Sequence, residues 1–529
     1  MSFLKFNFFV FITLLFLVYY IIPKKYQWIC LLIGSYIFYL FAGVQAISYI
    51  IFTTITTWGA ARAIEYLNLK MKIFLGKNEE EDKKQRIKYK FKLYKKTLFW
   101  GTLVANFGIL VFLKYFNFIS ESITGIYNAI SAGNSESLTL GLLLPLGISF
   151  YTFQAMGYLI DVSNGKYQAE KNIFKIALFL SFFPQIIQGP IGRFNHLEGQ
   201  LFAEHHFELQ QVQYGLQLIL WGFFKKLVIA DRALFVVNEV FGNCDKYGGA
   251  ITVFGVLFYS LQQYTDFSGG IDIAMGIAEL FGIKMSPNFK RPYFSKTLSE
   301  FWRRWHITLG AWMRDYVFYP LALTKFVSKI GKLCSKYWGK HIGKVFPVAF
   351  ANLVVFIIVG LWHGPYWHYV VWGAYNGLII ATSSILEPFY KKLRTISKIN
   401  VKSFSYQAFQ MIRTFFIINL GWYFDRAANL GVSKIMLCNT LYNFRWYQLM
   451  DGTIFKLGLN TVDYKILLIS TLVLLSISIM QERGIQVRIA LSRENILVRW
   501  IVIYALIFTI LAVPANSTDL LGGFMYAQF

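Results

Sequence analysis

Acidic side chains are scarce in this 529-residue sequence, with 27 Asp and Glu standing against 52 Lys and Arg. Charged residues of both signs amount to only 15%, while 56% of positions are hydrophobic, 19% are aromatic and the mean hydropathy is +0.47. A soluble fold of this size needs far more charged surface, so the ordinary globular classes are excluded and a polytopic membrane protein remains. Cysteine is sparse too. Cys30, Cys244, Cys334 and Cys438 lie far apart, which excludes a paired-cysteine metal site and a disulfide framework. The sequence lacks a G-x-S-x-G elbow, an H-E-x-x-H pair, a Walker loop and a Gly-rich dinucleotide turn. His306 is followed four places on by Gly310 rather than an acid, and no H-H-x3-D pattern follows His205-His206. Most serine, metal and nucleotide chemistries fall away, and neither a metal nor a bound cofactor is expected.

What the chain has instead is long uncharged runs of membrane-crossing length. Clear ones are Phe6–Pro23, Tyr26–Ala61 (two spans joined near Gly43), Thr97–Leu113, Ser137–Ile160, Tyr247–Thr265, Val345–Leu386 (again two) and Trp500–Thr518. Weaker ones are Ile176–Gly192, Gln210–Phe224, Thr414–Phe424 and Ile466–Met480. The expected fold is an all-α membrane bundle of about 11–13 segments, some re-entrant or in-plane, around a central cavity. The first run is followed by Pro23-Lys24-Lys25 rather than a small-residue cleavage site, and reads as a retained anchor.

The net charge of +25 is distributed as membrane proteins distribute it, not as a nucleic-acid-binding face. Twelve Lys and Arg against five acids lie between Arg62 and Lys96, and Lys325–Lys344 and Lys391–Lys402 are further basic stretches between apolar runs. Such stretches mark the cytoplasmic side and favour anionic lipid headgroups. With the Lys24-Lys25 turn and a 62–96 loop both inside, the N-terminus lies outside, as does a Phe116–Glu136 loop poor in Lys and Arg. No nucleic-acid partner is expected.

No repeat or long linker divides the chain, so residues 1–529 read as a single membrane domain with a working core at about 180–380 and a tail at 516–529. Positions 180–320 mix apolar, aromatic and charged residues with Gly and Pro, which membrane depth tolerates only in protein or beside water. In FFPQIIQGPIGRF, Phe182–Phe194, two prolines and two glycines break any straight helix, placing Gln185 and Gln188 at a turn or cavity-lining break. In Phe258–Gly282, Asp266, Asp272 and Glu279 interrupt a span-like pattern and require cations or water. The nearest cations are Arg303, Arg304 and Arg314, interleaved with Trp302, Trp305 and Trp312 in Asn288–Leu321, a basic aromatic stretch suited to the interface.

The sharpest signal is VGLWHGPYWHYVVWG, residues 359–373, inside 42 residues without Asp, Glu, Lys or Arg. Gly364-Pro365 stops the helix from Val345 near Trp362, which puts His363 at a helix end facing a break. An imidazole kept from bulk water can take a proton from a hydroxyl and return it to a leaving group. His368, beyond Pro365, faces elsewhere and reads as structural.

These stretches resemble the membrane-bound O-acyltransferase family, in particular its bacterial polysaccharide branch. The resemblance rests on PQIIQGPIGR (184–193), QQYTDFSGGIDIAMG (262–276), NFKRPY (288–293), FWRRWHITLGAWMRDYVFYPL (301–321), GLWHG (360–364), GWYFDRAANL (421–430) and a terminal FMYAQF (524–529). It implies His363 as the catalytic histidine of the W-H-G motif and His306 as a second functional residue. Gln188, Asp266, Asn288, Arg303, Arg304 and Trp305 become candidates for substrate or donor contact. It further implies transfer of an acyl group, acetyl in this branch, from a cytoplasmic thioester (acetyl-CoA or an acyl carrier protein) for O-acetylation of an envelope or exopolysaccharide. An extracytoplasmic SGNH-type acetyltransferase is the expected partner and the cell membrane the location. The tail is similar to an F-I-Y-F-x-F ending, with Ala527 where the pattern prefers Phe, and Tyr526 is its candidate acyl relay. Two rivals fit the same residues. A transporter or flippase would translocate substrate without His363 and His306, and a scaffold would turn over no donor.

Overall fold

In the computed structural model of the protein, residues 3–76, 81–131, 133–512 and 524 are described, and they are helical with irregular connections and no strand among them. Three of the described helices are long and apolar enough to cross a membrane: Glu81–Ser131, Lys340–His363 and Thr461–Glu482. A fourth candidate is a pair, Trp367–Ile385 and Glu387–Ile396, bent by 57°, and Phe6–Ile21 and Ile496–Ala512 are shorter apolar helices. Apolar side chains such as Phe6, Leu14, Ile469 and Leu511 are well exposed on these helices, as lipid-facing positions require. The chain is an all-α polytopic membrane protein.

The described residues form two compact units, Met1–Gly215 with Ile277–Ser286, and Leu216–Gly276 with Pro287–Phe529. In the first, the double span expected at Tyr26–Ala61 is two helices, Gln27–Leu40 and Val44–Gly76, and Gly43 at φ 120 makes the corner between them. Two expected loops are helical. The basic 62–96 stretch continues one helix to Gly76 and starts the next at Glu81, and that helix runs 51 residues to Ser131 through the segment expected as an outer loop. Lys, Arg, Glu and Gln are good helix formers, so positive charge marked a helix extension rather than a turn. The run 137–160 is no single span: Pro145 and Gly147 at φ 68 break it, and the helix Ile148–Ser163 that follows is buried on nearly every face. The expected break after Phe182 is present. Helix Phe183–Gln188 is followed by extended residues and then helix Phe194–Leu201.

The second unit carries Asp266 and Asp272 of the working stretches, whereas Glu279 falls in the first. Gly222 of helix Leu209–Phe223 and Gly269 of helix Gly249–Leu280 meet backbone to backbone. A Cβ on Gly222 would lie 2.6 Å from the Gly269 carbonyl, and one on Gly269 would lie 2.8 Å from that of Gly222. Only glycine permits this approach. Just beyond it the chain widens into a π-helix, Phe224–Ala230, which turns Lys225 and Lys226 inward. Lys226 Nζ lies 2.5 Å from Asp266 and 2.8 Å from Asp231, and Lys225 Nζ lies 2.7 Å from Asp272 and 2.9 Å from the Ser268 hydroxyl. The expected pairing of Asp266 with Arg303 or Arg304 is therefore wrong, because nearer lysines satisfy the buried carboxylates first. Phe524 is also buried, its ring 5.2 Å from Lys226 Nζ.

Candidate active site

Helix Lys340–His363 ends at the expected place, since Gly364 is extended and Pro365 cannot continue it. Helix Trp367–Ile385 then packs back along it. A Cβ on Gly360 would strike the Tyr369 carbonyl, one on Gly373 the Phe356 carbonyl, and one on Gly377 would lie 2.9 Å from Leu353. The pairs run in opposite order along the two helices, which makes an antiparallel hairpin closed on small residues.

His363 sits at the tip of this hairpin and is 5% exposed. Its ring lies 4.8 Å from Trp372, 5.4 Å from Trp362 and 5.9 Å from Tyr369. An aromatic cage encloses it, which keeps the imidazole from bulk water as expected. Its Nδ1 lies 3.7 Å from Oδ1 of Asp425, the last residue of helix Phe404–Asp425. Asp425 is itself buried, and its Oδ2 accepts from the Tyr259 hydroxyl at 2.6 Å and the Gln263 amide at 3.0 Å. His368 Nδ1 is 2.9 Å from the Phe424 carbonyl, so this nitrogen carries the proton. The two histidines of the 359–373 stretch thus face adjacent residues of one helix end, His368 by a hydrogen bond and His363 at a longer distance.

His306 occupies the break between helices Leu298–Arg304 and Ile307–Met313, in the left-handed region at φ 46 and ψ 53. A non-glycine residue stays there only when its surroundings hold it. Asn288 does so. Its backbone carbonyl accepts from Ile307 N–H at 3.0 Å, and its Oδ1 accepts from the Thr308 N–H at 3.1 Å and the Thr308 hydroxyl at 2.9 Å. A backbone N–H can only donate, so this side-chain atom is the amide oxygen. The 3.1 Å contact from His306 Nδ1 is then a donation, which leaves Nε2 as the basic nitrogen. The His306 ring packs on Trp362 at 5.8 Å. His306 and His363 thus both contact one indole, that of Trp362.

Of the other expected site residues, Asn288 belongs to this cluster, fully buried, with its amide nitrogen lacking a hydrogen-bond partner. Trp305 is buried among Phe289, Phe301 and Trp422, a packing position. Arg304 is bound to Glu300 and Glu482, whereas Arg303 is exposed. Asp266 is tied to Lys226. Gln188 lies in the first unit, fully buried, with neither amide atom hydrogen-bonded. Tyr526 lies outside the described residues. Sequence reasoning did not single out Asp425, Tyr259 or Gln263. The available signal was an acid directly after the apolar run Thr414–Phe424, which at that depth requires a partner.

Two buried imidazoles thus share one indole in a helical membrane protein, and comparison with known proteins gives its family. The profile for MBOAT, membrane-bound O-acyltransferase family, matches residues 170–334, an interval that holds His306 but not His363. The protein named "Probable alginate O-acetylase AlgI" from Pseudomonas syringae pv. tomato is 31% identical over 444 residues, 84% of this chain and 75% of its own. "Peptidoglycan O-acetyltransferase" from Helicobacter pylori is 31% identical over 376 residues, 64% and 65% of the two chains. "Teichoic acid D-alanyltransferase" from Bacillus subtilis is 30% identical over 258 residues, 48% and 62%. The chain belongs to the membrane-bound O-acyltransferase family and is an acyltransferase.

Proposed function

We infer that this enzyme moves an acetyl group from a cytoplasmic thioester, acetyl-CoA or an acyl carrier protein, across the membrane for O-acetylation of an envelope or exopolysaccharide. The names of the relatives support an acceptor of that class, since they act on alginate, peptidoglycan or teichoic acid. The observation that carries the chemistry is the pair of buried histidines sharing Trp362. His363 takes the proton of the acceptor hydroxyl as its oxygen attacks the thioester carbonyl. The C–O bond forms, the C–S bond breaks, and the proton passes to the departing thiolate. His306, whose Nδ1 donates to Asn288, orients bound substrate by accepting a hydrogen bond at Nε2. The Asn288 amide and the Trp372 indole, buried donors without acceptors, are suited to hydrogen-bond bound substrate. Because His363 is 5% exposed, substrates enter only when the aromatic cage parts.

Arg303, exposed, is suited to donor phosphates, with Arg304, Asp266 and Trp305 shaping the protein of the second unit, while Gln188 in the first is a separate candidate for substrate contact. The tail delivers Tyr526 as an acyl carrier toward an extracytoplasmic SGNH-type acetyltransferase. The enzyme sits in the cell membrane with its N-terminus outside and its basic helices against anionic headgroups. The test uses purified full-length protein with labelled acetyl-CoA or acetylated carrier protein. Thiol release and label transfer to envelope polysaccharide are expected from the wild type and lost in a folded His363→Ala variant. Undiminished transfer by that variant removes the assignment.

A further inference from the structure

We propose that Asp425 is the positioning residue of His363, and that Tyr259 and Gln263 hold it in that role; the inference rests on His363 being the base. Three independent features of the geometry lead there. Asp425 is 4% exposed, and its Oδ1 is buried without a hydrogen-bond partner. A buried carboxylate oxygen without a donor is costly unless something requires it. The group facing it is the His363 Nδ1, at 3.7 Å. That separation is longer than a hydrogen bond, and catalytic contacts of this kind commonly tighten when substrate is bound.

The second feature is how the carboxylate is aimed. Its other oxygen is fixed by two donors, Tyr259 Oη at 2.6 Å and Gln263 Nε2 at 3.0 Å, which stand one turn apart on helix Gly249–Leu280. They leave Oδ1 turned toward the ring. This gives the sequence QQYTD a purpose that charge pairing does not supply, because Asp266 answers to Lys226 while Gln263 answers to Asp425. The third feature is the His368 contact on the Phe424 carbonyl, which pins the helix end that bears Asp425 to the hairpin that bears His363.

The consequence is chemical. A carboxylate at Nδ1 selects the tautomer with its proton on Nδ1, so Nε2 carries the lone pair that removes a proton from the acceptor hydroxyl. It also stabilises the imidazolium formed when that proton arrives, and it returns to the same state when the proton leaves with the thiolate. Asp425 touches no reacting atom and takes no proton itself.

The test is Asp425→Asn in the full-length protein, with thiol release from acetyl-CoA, or from acetylated carrier protein, resolved into kcat and KM. The side-chain shape is kept and the charge removed. A fall in kcat of about 100-fold or more is expected, with donor KM changed by less than about threefold. In a His363→Ala background the same substitution should have no further effect on the residual rate, because the two residues act as a unit. A folded Asp425→Asn enzyme with wild-type kcat overturns the inference, and so does a loss that adds in full to that of His363→Ala, which marks a purely structural role. If Asp425→Asn does not fold, Tyr259→Phe reads the same contact by removing one donor and keeping the carboxylate. Its kcat should fall by about threefold to tenfold, and an unchanged value overturns the inference. Full activity in His363→Ala would instead remove the reading of the base, and a wild type that cleaves neither thioester would remove both together.

Discussion

Buried charges in a membrane protein must be matched one by one, and the cluster around Lys226 is the severest case in this chain. Its ammonium serves two carboxylates, Asp231 and Asp266, and all three side chains are at most 4% exposed. Replacing Lys226 by Met would leave two adjacent buried carboxylates with no cation between them. Removing one partner of a buried ionic group costs about 3–5 kcal/mol. Lys226→Met should therefore lower the thermal midpoint of the detergent-solubilised protein strongly, and a triple change that also makes Asp231 and Asp266 neutral should recover much of the loss. Equal midpoints for wild type and Lys226→Met would show that the network carries no stability. At this scale the sequence was readable in part. It told that Asp266 and Asp272 need cations, because a carboxylate at that depth is always costly. It did not tell which cations, because pairing is decided by a π-helical widening that no local pattern announces. His363 was legible from the Gly364-Pro365 stop, whereas Asp425 was hidden because its partners come from residues more than 60 positions earlier in the chain.

Elements meet where side chains are smallest. The Gly222–Gly269 contact brings two helices close enough for Lys225 and Lys226 to reach Asp272 and Asp266, so a packing residue sets the reach of charged ones. Gly222→Ala places a methyl group 2.6 Å from a backbone oxygen and 2.7 Å from the Ile273 side chain, and backbone cannot yield as a flexible tip can. Overpacking of this kind costs about 1–3 kcal/mol. The expected result is a lower midpoint together with lower acyl transfer. Gly199→Ala, inside helix Phe194–Leu201 with nothing within 4 Å of the added carbon, should leave acyl transfer unchanged and the midpoint equal or slightly raised. Helix ends set by Gly and Pro were readable before the structure at Gly43 and Gly364, whereas the break at Pro145 and Gly147 was passed over inside an uncharged run. Helix lengths were not. Lys- and Glu-rich stretches read equally as loops or as helix extensions, and the 51-residue helix from Glu81 to Ser131 resolves that ambiguity toward helix.

At the scale of the whole molecule the strongest constraint is the placement of positive charge. Helix Lys325–Trp338 buries Val327, Gly331 and Cys334 on one stripe and exposes Lys325, Lys329, Lys332 and Lys336 on the others. A basic amphipathic helix of this design lies in the interface plane, where each Lys near an anionic surface contributes about 1 kcal/mol. Helix Glu387–Ile396 carries Lys391, Lys392 and Arg394 beside the exposed apolar side chains Phe389, Leu393 and Ile396. Basic residues beside spans stay in the cytoplasm, so both helices should lie there, on the side proposed for the donor. A single cysteine placed at Lys332, with Cys438 changed to Ser because it too is exposed, gives a direct reading. A membrane-impermeant maleimide should leave it unlabelled in intact cells and label it fully in inverted vesicles. Labelling from outside would reverse the orientation and, with it, the side from which the donor reaches His363.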